Sequence, residues 1–189
     1  AYVTDDIWQT EGVNDRVQLA RMNAEVNRRL VEHWMREGVT VLDPQTTWIE
    51  ADVDLASDVT ILPNTQLLGA SSIATGAVIG PDTTLRDVEV GENAHVVRCH
   101  GELAVIGPNA EVGPFARLRP GTVLGERGRI GTFVETKNAE IGAGSRIPHF
   151  GYVGDAYLGE GAYVGAGTTF ANFDGQHRLI RAALSESSG

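Results

Sequence analysis

An aliphatic residue recurs every six positions through most of this chain. Small shifts of phase and one insertion, around HGELA, interrupt the rhythm without ending it. The positions are Leu55, Ile61, Leu67, Ile73, Ile79, Leu85, Val90, Val96, Ile106, Val112, Leu118, Leu124, Ile130, Ile141, Ile147, Val153, Leu158, Val164 and Phe170. A short fixed period of this kind predicts a solenoid, in which each repeat packs on its neighbours.

Glycine often follows the aliphatic residue, as in IGPNAE, VGPFAR and IGAGSR. Six residues suit one short strand and a tight corner. We expect the aliphatic side chain and the small residue four positions later to point inward, and glycine to supply the corner conformation. Three hexads would make a triangular coil, and stacked coils would satisfy one another's backbone hydrogen bonds. The predicted fold is mainly β, a parallel β-helix.

A different pattern precedes the repeats, over residues 14–37. Apolar side chains return every three or four positions, at Leu19, Met22, Val26, Leu30 and Trp34. This spacing predicts one long amphipathic α-helix. Asn14 can cap its start, and Gly38 can end it in a left-handed conformation. We expect solvent around its arginine-rich face, which carries Arg21, Arg28, Arg29 and Arg36.

Composition narrows the functional classes. The 189 residues are 42% apolar, enough for one folded domain, and 25 acidic against 15 basic residues give a net charge of -10. That charge argues against broad binding to nucleic acid or an anionic membrane. The single cysteine, Cys99, is interpreted as structural. No apolar run suits a membrane span and no signal peptide is evident, so the cytoplasm is expected.

The aliphatic-glycine hexads resemble those of the hexapeptide-repeat transferases, whose coils wind left-handed. Parallel crossovers are generally right-handed, so the predicted hand depends on this resemblance alone. The segments GPFARLRPGT, GTFVETKNAEIGAGSRIPH, YVGDAYLGEGAYVGAGT and NFDG are similar to one group within it. That group joins glucosamine-1-phosphate N-acetyltransferase to N-acetylglucosamine-1-phosphate uridyltransferase.

The resemblance, from about Glu11 to Asp174, implies a division of the chain. Residues 1–16 would end a uridyltransferase domain, 17–38 form a linker helix, 39–174 form the left-handed β-helix acetyltransferase domain, and 175–189 form a divergent tail. The implied reaction is acetyl transfer from acetyl-CoA to the amine of glucosamine-1-phosphate, in the pathway to UDP-N-acetylglucosamine for cell-wall synthesis. A homotrimer is implied as well.

His149 and Tyr152, in IPHFGYVGD, match the family's catalytic region. The resemblance implies that His149, in a loop off the β-helix wall, takes the proton of the sugar amine, and that Tyr152 binds the sugar. An imidazole can accept a proton at neutral pH, which suits a general base. A simple surface histidine is the alternative.

Arg119 and Lys137 match the residues that hold the sugar phosphate in the family. They lie eighteen positions apart, one full coil if the register is regular, so their side chains can stack on one face. Together they could clamp a phosphate. The alternative is cationic decoration of a coil. Tyr163 stands where the family usually has a substrate-contacting asparagine, and its ring could block the sugar pocket or stack beside it.

The remaining matches are less specific. Ala166, Asn172 and Phe173 correspond to positions that line the acetyl-CoA channel, although Ala166 could be a packing residue and Asn172 a turn residue. Asn14 matches an asparagine that helps bind Mg²⁺ in the uridyltransferase half, most of which is absent from this sequence. Its alternative role is the helix cap.

Beyond Asp174 the hexads stop, whereas the family continues through further coils. We therefore expect a truncated form with weak or no activity. A catalytically silent β-helix that serves as a trimerisation or interaction module is the alternative. A zinc enzyme of the same fold, using His95 and His100, lacks a convincing third ligand.

Overall fold

The computed structural model describes residues 3–170. These form one 3₁₀ turn, one α-helix and fifteen strands. The helical segments are η1 (Ile7–Gln9) and α1 (Arg16–Arg36). The strands are β1 (Thr40–Val41), β2 (Trp48–Ile49), β3 (Asp54–Leu55), β4 (Thr60–Ile61), β5 (Thr65–Leu68), β6 (Ser72–Ile73), β7 (Val78–Ile79), β8 (Thr83–Val90), β9 (His95–Val96), β10 (His100–Ile106), β11 (Glu111–Val112), β12 (Arg117–Leu118), β13 (Thr122–Leu124), β14 (Arg129–Ile141) and β15 (Arg146–Leu158).

Every strand pair in the described sheet is parallel, and each strand pairs with the strand one coil later. The offset is 18 residues between β5 and β8, where Thr65 pairs with Thr83. It shortens to 16 between β8 and β10, where Val88 pairs with Ala104. This is the predicted parallel β-helix of hexapeptide repeats, preceded by one long α-helix, and the unequal offsets account for the phase shifts in the sequence.

The aliphatic residues of the hexads line the interior as predicted. All of them from Leu55 to Val164 are less than 9% exposed, and Phe170 packs partly against the same cluster. The small residues four positions later are buried too, including Ala77, Ala94 and Ala110. Where such a residue carries a hydroxyl it bonds a carbonyl, as Thr122 Oγ1 donates to Arg119 O at 2.8 Å. Within residues 3–170 no buried side-chain oxygen or nitrogen lacks a hydrogen-bond partner.

Each corner of the coil contains one residue in the left-handed region of backbone space, and these residues stack in three columns. Corner I comprises Asp58, Gly76, Asn93, Asn109, Arg127, Gly144 and Gly161. Corner II comprises Asn64, Asp82, Arg98, Phe115, Phe133, Phe150 and Gly167. Corner III comprises Gly69, Asp87, Leu103, Gly121, Asn138 and Asp155. Most of these residues have side chains, so the corners accept a conformation that ordinarily favours glycine.

The glycine that follows the aliphatic residue has a positive φ at Gly80 and Gly113, at +102° and +103°, but not at most other hexads, so the prediction that it supplies the corner conformation was mostly wrong. In IGPN the left-handed residue is Asn109, two positions after Gly107. A Cβ on Gly107 would lie 2.8 Å from the backbone nitrogen of Glu126, and one on Gly125 would lie 2.6 Å from that of Ala143. These glycines are needed because the next coil passes too close for a side chain.

The N-cap of helix α1 lies one residue later than predicted. Asp15, not Asn14, is the N-cap, and its Oδ1 accepts from the backbone N–H of Gln18 at 2.7 Å. Gly38 ends the helix with φ +95°, as expected. Val39 N donates to Trp34 O at 3.0 Å, which closes the helix end in a Schellman-type arrangement. Neither helical segment in residues 3–170 is long and apolar enough to cross a membrane.

The buried face of α1 matches the predicted one only in part, since Trp34 of the predicted stripe packs against the core. Its buried residues are Asn27 and Val31, whereas Leu19 and Val26 are 47% and 49% exposed. The Asn27 amide donates to Thr47 O at 2.8 Å and accepts from Ile49 N at 2.9 Å. Asn27 thus makes the hydrogen bonds that a neighbouring strand would otherwise make at the edge of the first coil.

The arginine-rich face of α1 is solvated as expected. Arg28 and Arg29 both pair with Glu25, and Arg29 also reaches Asp6 at 2.7 Å. These guanidinium hydrogen bonds lower the pKa of Asp6 from 3.8 to about 2 and that of Glu25 from 4.5 to about 2. They attach the segment around η1 to the helix.

Candidate functional site

Two walls of the β-helix contain the predicted site residues. Wall A runs between corners II and III and includes residues 116–120, 134–137 and 151–154 of successive coils. Wall B runs between corners I and II and includes residues 129–132, 146–149 and 163–166. The two walls meet at corner II.

Arg119 and Lys137 stack on wall A, one coil apart. The pairs immediately before them are Leu118 with Thr136 and Arg117 with Glu135, an offset of 18 residues. Arg119 N donates to Thr136 O at 2.9 Å. Adjacent strands are about 4.8 Å apart, so the two cationic side chains leave the wall side by side. The offset of 18 residues that the predicted stacking of Arg119 on Lys137 requires is therefore present in these two coils.

Each of these cations has an acidic neighbour. Arg119 Nη1 lies 2.9 Å from Glu135 Oε1, and Lys137 Nζ lies 4.0 Å from Asp155 Oδ2. All four side chains are only partly exposed, at 21–36%. The carboxylates orient the cations and limit their net charge. Glu135 was missed by the sequence analysis, although its position two residues before Lys137 on an alternating strand was a usable signal.

Tyr152 lies on the same wall, paired with Glu135. Its ring extends along the strand over Gly154, as shown by the 2.3 Å between the Tyr152 hydroxyl oxygen and the place that a Cβ on Gly154 would take. Gly154 is in turn the strand partner of Lys137. The phenol hydroxyl therefore lies over Gly154, on the strand next to Lys137. Wall A combines two cations and one hydroxyl in a single cluster.

His149 lies on wall B, one residue before corner II. It belongs to β15 and pairs with Thr132 of β14, so the expectation of a loop off the wall was wrong. Its exposed ring meets Phe150 edge to face, with centroids 6.4 Å apart. The structure therefore brings Arg119, Lys137 and Tyr152 together and leaves His149 on the adjacent wall, around the corner.

An aromatic ridge separates the two walls. Phe115, Phe133 and Phe150 follow one another down corner II, with centroid distances of 5.5 Å and 5.3 Å. They are 53%, 52% and 61% exposed. Polar residues occupy the same corner in earlier coils. The ridge is therefore confined to the coils that contain the predicted site residues.

Tyr163 and Ala166 belong to the next coil of wall B. Tyr163 pairs with Arg146 and is 69% exposed. Gly167 N donates to Phe150 O at 2.6 Å, which aligns Ala166 with His149 in the coil before. Asn172 and Phe173 lie outside the described residues.

The remaining candidate, Asn14, lies away from the predicted site residues of both walls. Asn14 is exposed, and its backbone N–H donates to Gln18 Oε1 at 2.6 Å.

The two histidines considered for zinc lie on different walls. His95 is the strand partner of Glu111 on wall B, whereas His100 is the strand partner of Arg117 on wall A. Residues 3–170 contain no group of three or more His, Cys, Asp or Glu side chains suited to a metal ion. Cys99 is buried, which raises its thiol pKa to about 11.

Sequence comparison identifies the relatives of this arrangement. The bifunctional protein GlmU of Pseudarthrobacter chlorophenolicus is 62% identical over 182 residues, which cover 95% of this chain and 37% of that protein. The GlmU of Kineococcus radiotolerans is 60% identical over 178 residues, 94% of this chain and 36% of its own length. Over nearly all of its own length, the chain is similar to these GlmU proteins. It spans little more than a third of the length of these GlmU relatives.

Two further comparisons add less. No model of a known protein family matches the chain. A solved hexapeptide transferase family protein from Anaplasma phagocytophilum is 17% identical, covers 80% of this chain and 88% of its own, and has a TM-score of 0.34.

Proposed function

We propose that this protein transfers an acetyl group from acetyl-CoA to the amine of glucosamine-1-phosphate, in the pathway to UDP-N-acetylglucosamine for cell-wall synthesis. The observation that carries the proposal is the cluster on wall A, where Arg119 and Lys137 stack and the Tyr152 hydroxyl lies on the strand next to Lys137. Two cations and a hydroxyl donor suit a phosphorylated sugar. In a chain of net charge -10, such a cluster is a local attraction for a dianion.

The proposed roles follow from donor chemistry. Arg119 and Lys137 hold the phosphate, and Tyr152 donates to or accepts from a sugar hydroxyl. The imidazole of His149 removes a proton from the amine as the nitrogen attacks the thioester carbonyl. The carbon–nitrogen bond forms, the carbon–sulfur bond breaks, and CoA leaves as a thiolate that then takes up a proton.

Because His149 and the wall A cluster flank corner II, the substrate must reach around the aromatic ridge. We propose a homotrimer, in which a neighbouring copy closes the space over Phe115, Phe133 and Phe150. Exposed stacked rings are suited to such a contact. Tyr163 would contact the sugar, and Ala166, Asn172 and Phe173 would line the path of acetyl-CoA.

Binding and turnover test this proposal together. Calorimetric titration of glucosamine-1-phosphate should show binding that Arg119→Gln or Lys137→Gln weakens about tenfold each, since each loses a charge-assisted hydrogen bond. The matched control is Arg86→Gln, which removes an arginine from the same wall two coils earlier, where it lies 3.7 Å from Glu50. The control should bind as the parent does.

Turnover is followed by release of the CoA thiol. His149→Ala should abolish whatever acetyl transfer the parent protein shows, without changing the affinity for glucosamine-1-phosphate. Unchanged turnover would remove His149 from the mechanism. A catalytically silent interaction module, the competing function, would bind neither glucosamine-1-phosphate nor acetyl-CoA.

A further inference from the structure

Lys137 is the only lysine among the 15 lysine and arginine residues of the chain. Its four-carbon stem is flexible and its ammonium is a compact charge, whereas the guanidinium of Arg119 is planar and directs its own donors. The two cations also leave the wall side by side, and like charges on neighbouring strands repel each other. A phosphate site built on this pair therefore needs a group that keeps the Lys137 ammonium in place.

The carboxylate of Asp155 lies next to this ammonium. Asn138 and Asp155 both occupy corner III, one coil apart, with φ +44° and +50°. Each directly follows one member of a strand pair, because Lys137 is the strand partner of Gly154. The corner thus brings the carboxylate of one coil beside the ammonium of the coil before, with 4.0 Å between Lys137 Nζ and Asp155 Oδ2.

The other oxygen of the carboxylate is held by a side chain. Asn138 Nδ2 donates to Asp155 Oδ1 at 2.7 Å. A hydrogen bond to an ionised carboxylate is stronger than one between neutral groups, and this one joins two residues whose backbone is set by the coil. The Oδ2 atom of Asp155 is therefore a fixed negative point that can hold the Lys137 ammonium.

The length of the Lys137–Asp155 ion pair suits this purpose. At 4.0 Å it is longer than a hydrogen bond, so Asp155 attracts the ammonium without accepting one of its protons. Glu135, by contrast, accepts from Arg119 Nη1 at 2.9 Å. A guanidinium has five N–H donors and an ammonium has three, so a donor given to an acid costs the lysine more of its capacity to bind a phosphate.

A similar contact between Asn and Asp occurs at corner II in earlier coils. Asn64 Nδ2 donates to Asp82 Oδ1 at 2.9 Å, and Asp82 Oδ2 lies 3.4 Å from Arg98 Nη2. The Asp82 side chain is 44% exposed, against 21% for that of Asp155. The corner II contact lies away from Arg119 and Lys137, so it provides a control for any effect of such a contact on the coil alone.

We propose that Asp155, fixed by Asn138, is a positioning residue that holds the Lys137 ammonium where it meets the phosphate of the substrate. This rests on the proposed function only in taking a sugar phosphate as the ligand. The role has a characteristic sign. Removal of a negative charge beside an anion site strengthens phosphate binding by electrostatics alone, whereas loss of the ammonium's position weakens it.

The first experiment compares Asp155→Asn with the parent protein, since asparagine keeps the size of the side chain and an oxygen that can accept from Asn138. Calorimetric titration should show an affinity for glucosamine-1-phosphate about fivefold weaker in Asp155→Asn, although the site becomes more positive. Asp82→Asn is the matched control and should change the affinity less than about twofold. Unchanged or tighter binding in Asp155→Asn would refute the positioning role.

A double-mutant cycle tests whether the effect passes through Lys137. In the Lys137→Gln background, Asp155→Asn should change the affinity less than about twofold, because no ammonium remains to be positioned. A carboxylate that merely supports the coil would weaken binding equally in both backgrounds. Equal losses would therefore contradict the proposal and leave the proposed function standing.

A measurement without ligand follows the position of Lys137 itself. Because the chain has one lysine, labelling lysine with ¹³C at Cε gives a single side-chain resonance in NMR spectra. Its order parameter should fall in Asp155→Asn and in Asn138→Ala, and should stay at the parent value in Asp82→Asn. An unchanged order parameter in Asp155→Asn would overturn the proposal. If the parent does not bind glucosamine-1-phosphate, the proposed function fails, and the labelled lysine still decides whether Asp155 holds Lys137.

Discussion

The interior of the β-helix and the helix that precedes it are held by different kinds of contact. Inside the coils each aliphatic side chain meets a similar one above and below, so the same contact is repeated along the axis. Helix α1 meets the first coil through contacts that occur once, above all the Asn27 amide between Thr47 O and Ile49 N. A repeated contact can be recognised from its period, whereas a single contact cannot.

This difference explains what the sequence could predict. The hexad period identified the fold, the inward aliphatic residues and the stacking of Arg119 on Lys137, because one register links all of them. It did not identify Asn27 and Val31 as the buried residues of α1, because the exposed Leu19 and Val26 fit a helical stripe equally well. One of the two buried side chains of α1, Asn27, is polar, and its partners are the backbone atoms Thr47 O and Ile49 N.

The candidate site also combines features that the sequence period could predict with features that it could not. Positions on one wall follow from the register, but the wall on which a residue lies depends on where the corners fall. The corners are marked by left-handed residues with side chains, such as Phe133 and Phe150, as well as by glycines. The sequence therefore did not show that His149 and Lys137 lie on opposite sides of corner II, nor that Glu135 pairs with Arg119.

The largest expected effect is in the repeated interior. Ile130→Ala should destabilise the protein by about 3 kcal/mol, because the side chain is fully buried and the coils on both sides limit collapse of the cavity. Val123→Ala is the control, since Val123 points outward and is 39% exposed. Chemical denaturation should show a loss several times larger for Ile130. Similar losses would mean that the interior contacts do not dominate stability.

The next effect concerns the close approach of the coils. Gly125→Ala should cost about 2 kcal/mol, since its Cβ would lie 2.6 Å from the Ala143 nitrogen and neither backbone can yield easily. Gly159→Ala places the same change in a hexad of the last full coil, where no described atom lies within 4 Å of the new Cβ. A thermal melt of both variants compares them. Equal melting temperatures would contradict the steric explanation of the hexad glycine.

A smaller effect is expected at the single contact of α1. Asn27→Leu should cost about 2 kcal/mol or less, because Thr47 O and Ile49 N lose their partner while the new side chain gains apolar burial. Asn23→Leu, one turn earlier and exposed, should leave stability nearly unchanged. Amide hydrogen exchange at Ile49 provides the sharper readout. Faster exchange is expected only in Asn27→Leu, and unchanged exchange would show that Asn27 is not the edge partner.

The smallest effect is the attachment of the segment around η1 to α1. The carboxylates of Asp6 and Glu25 have pKa values lowered to about 2 by Arg28 and Arg29, so their contribution is complete above their ordinary values of 3.8 and 4.5. It should be lost as the pH falls through this range towards 2, because protonation removes the ion pairs. The indole N–H resonance of Trp8 should therefore shift in that window. Arg29→Gln should bring the shift to higher pH, since it removes the first cause of the lowered Asp6 pKa, while Arg36→Gln, on the last turn of the helix and 78% exposed, should not. An identical titration in both variants would show that Arg29 does not hold the segment.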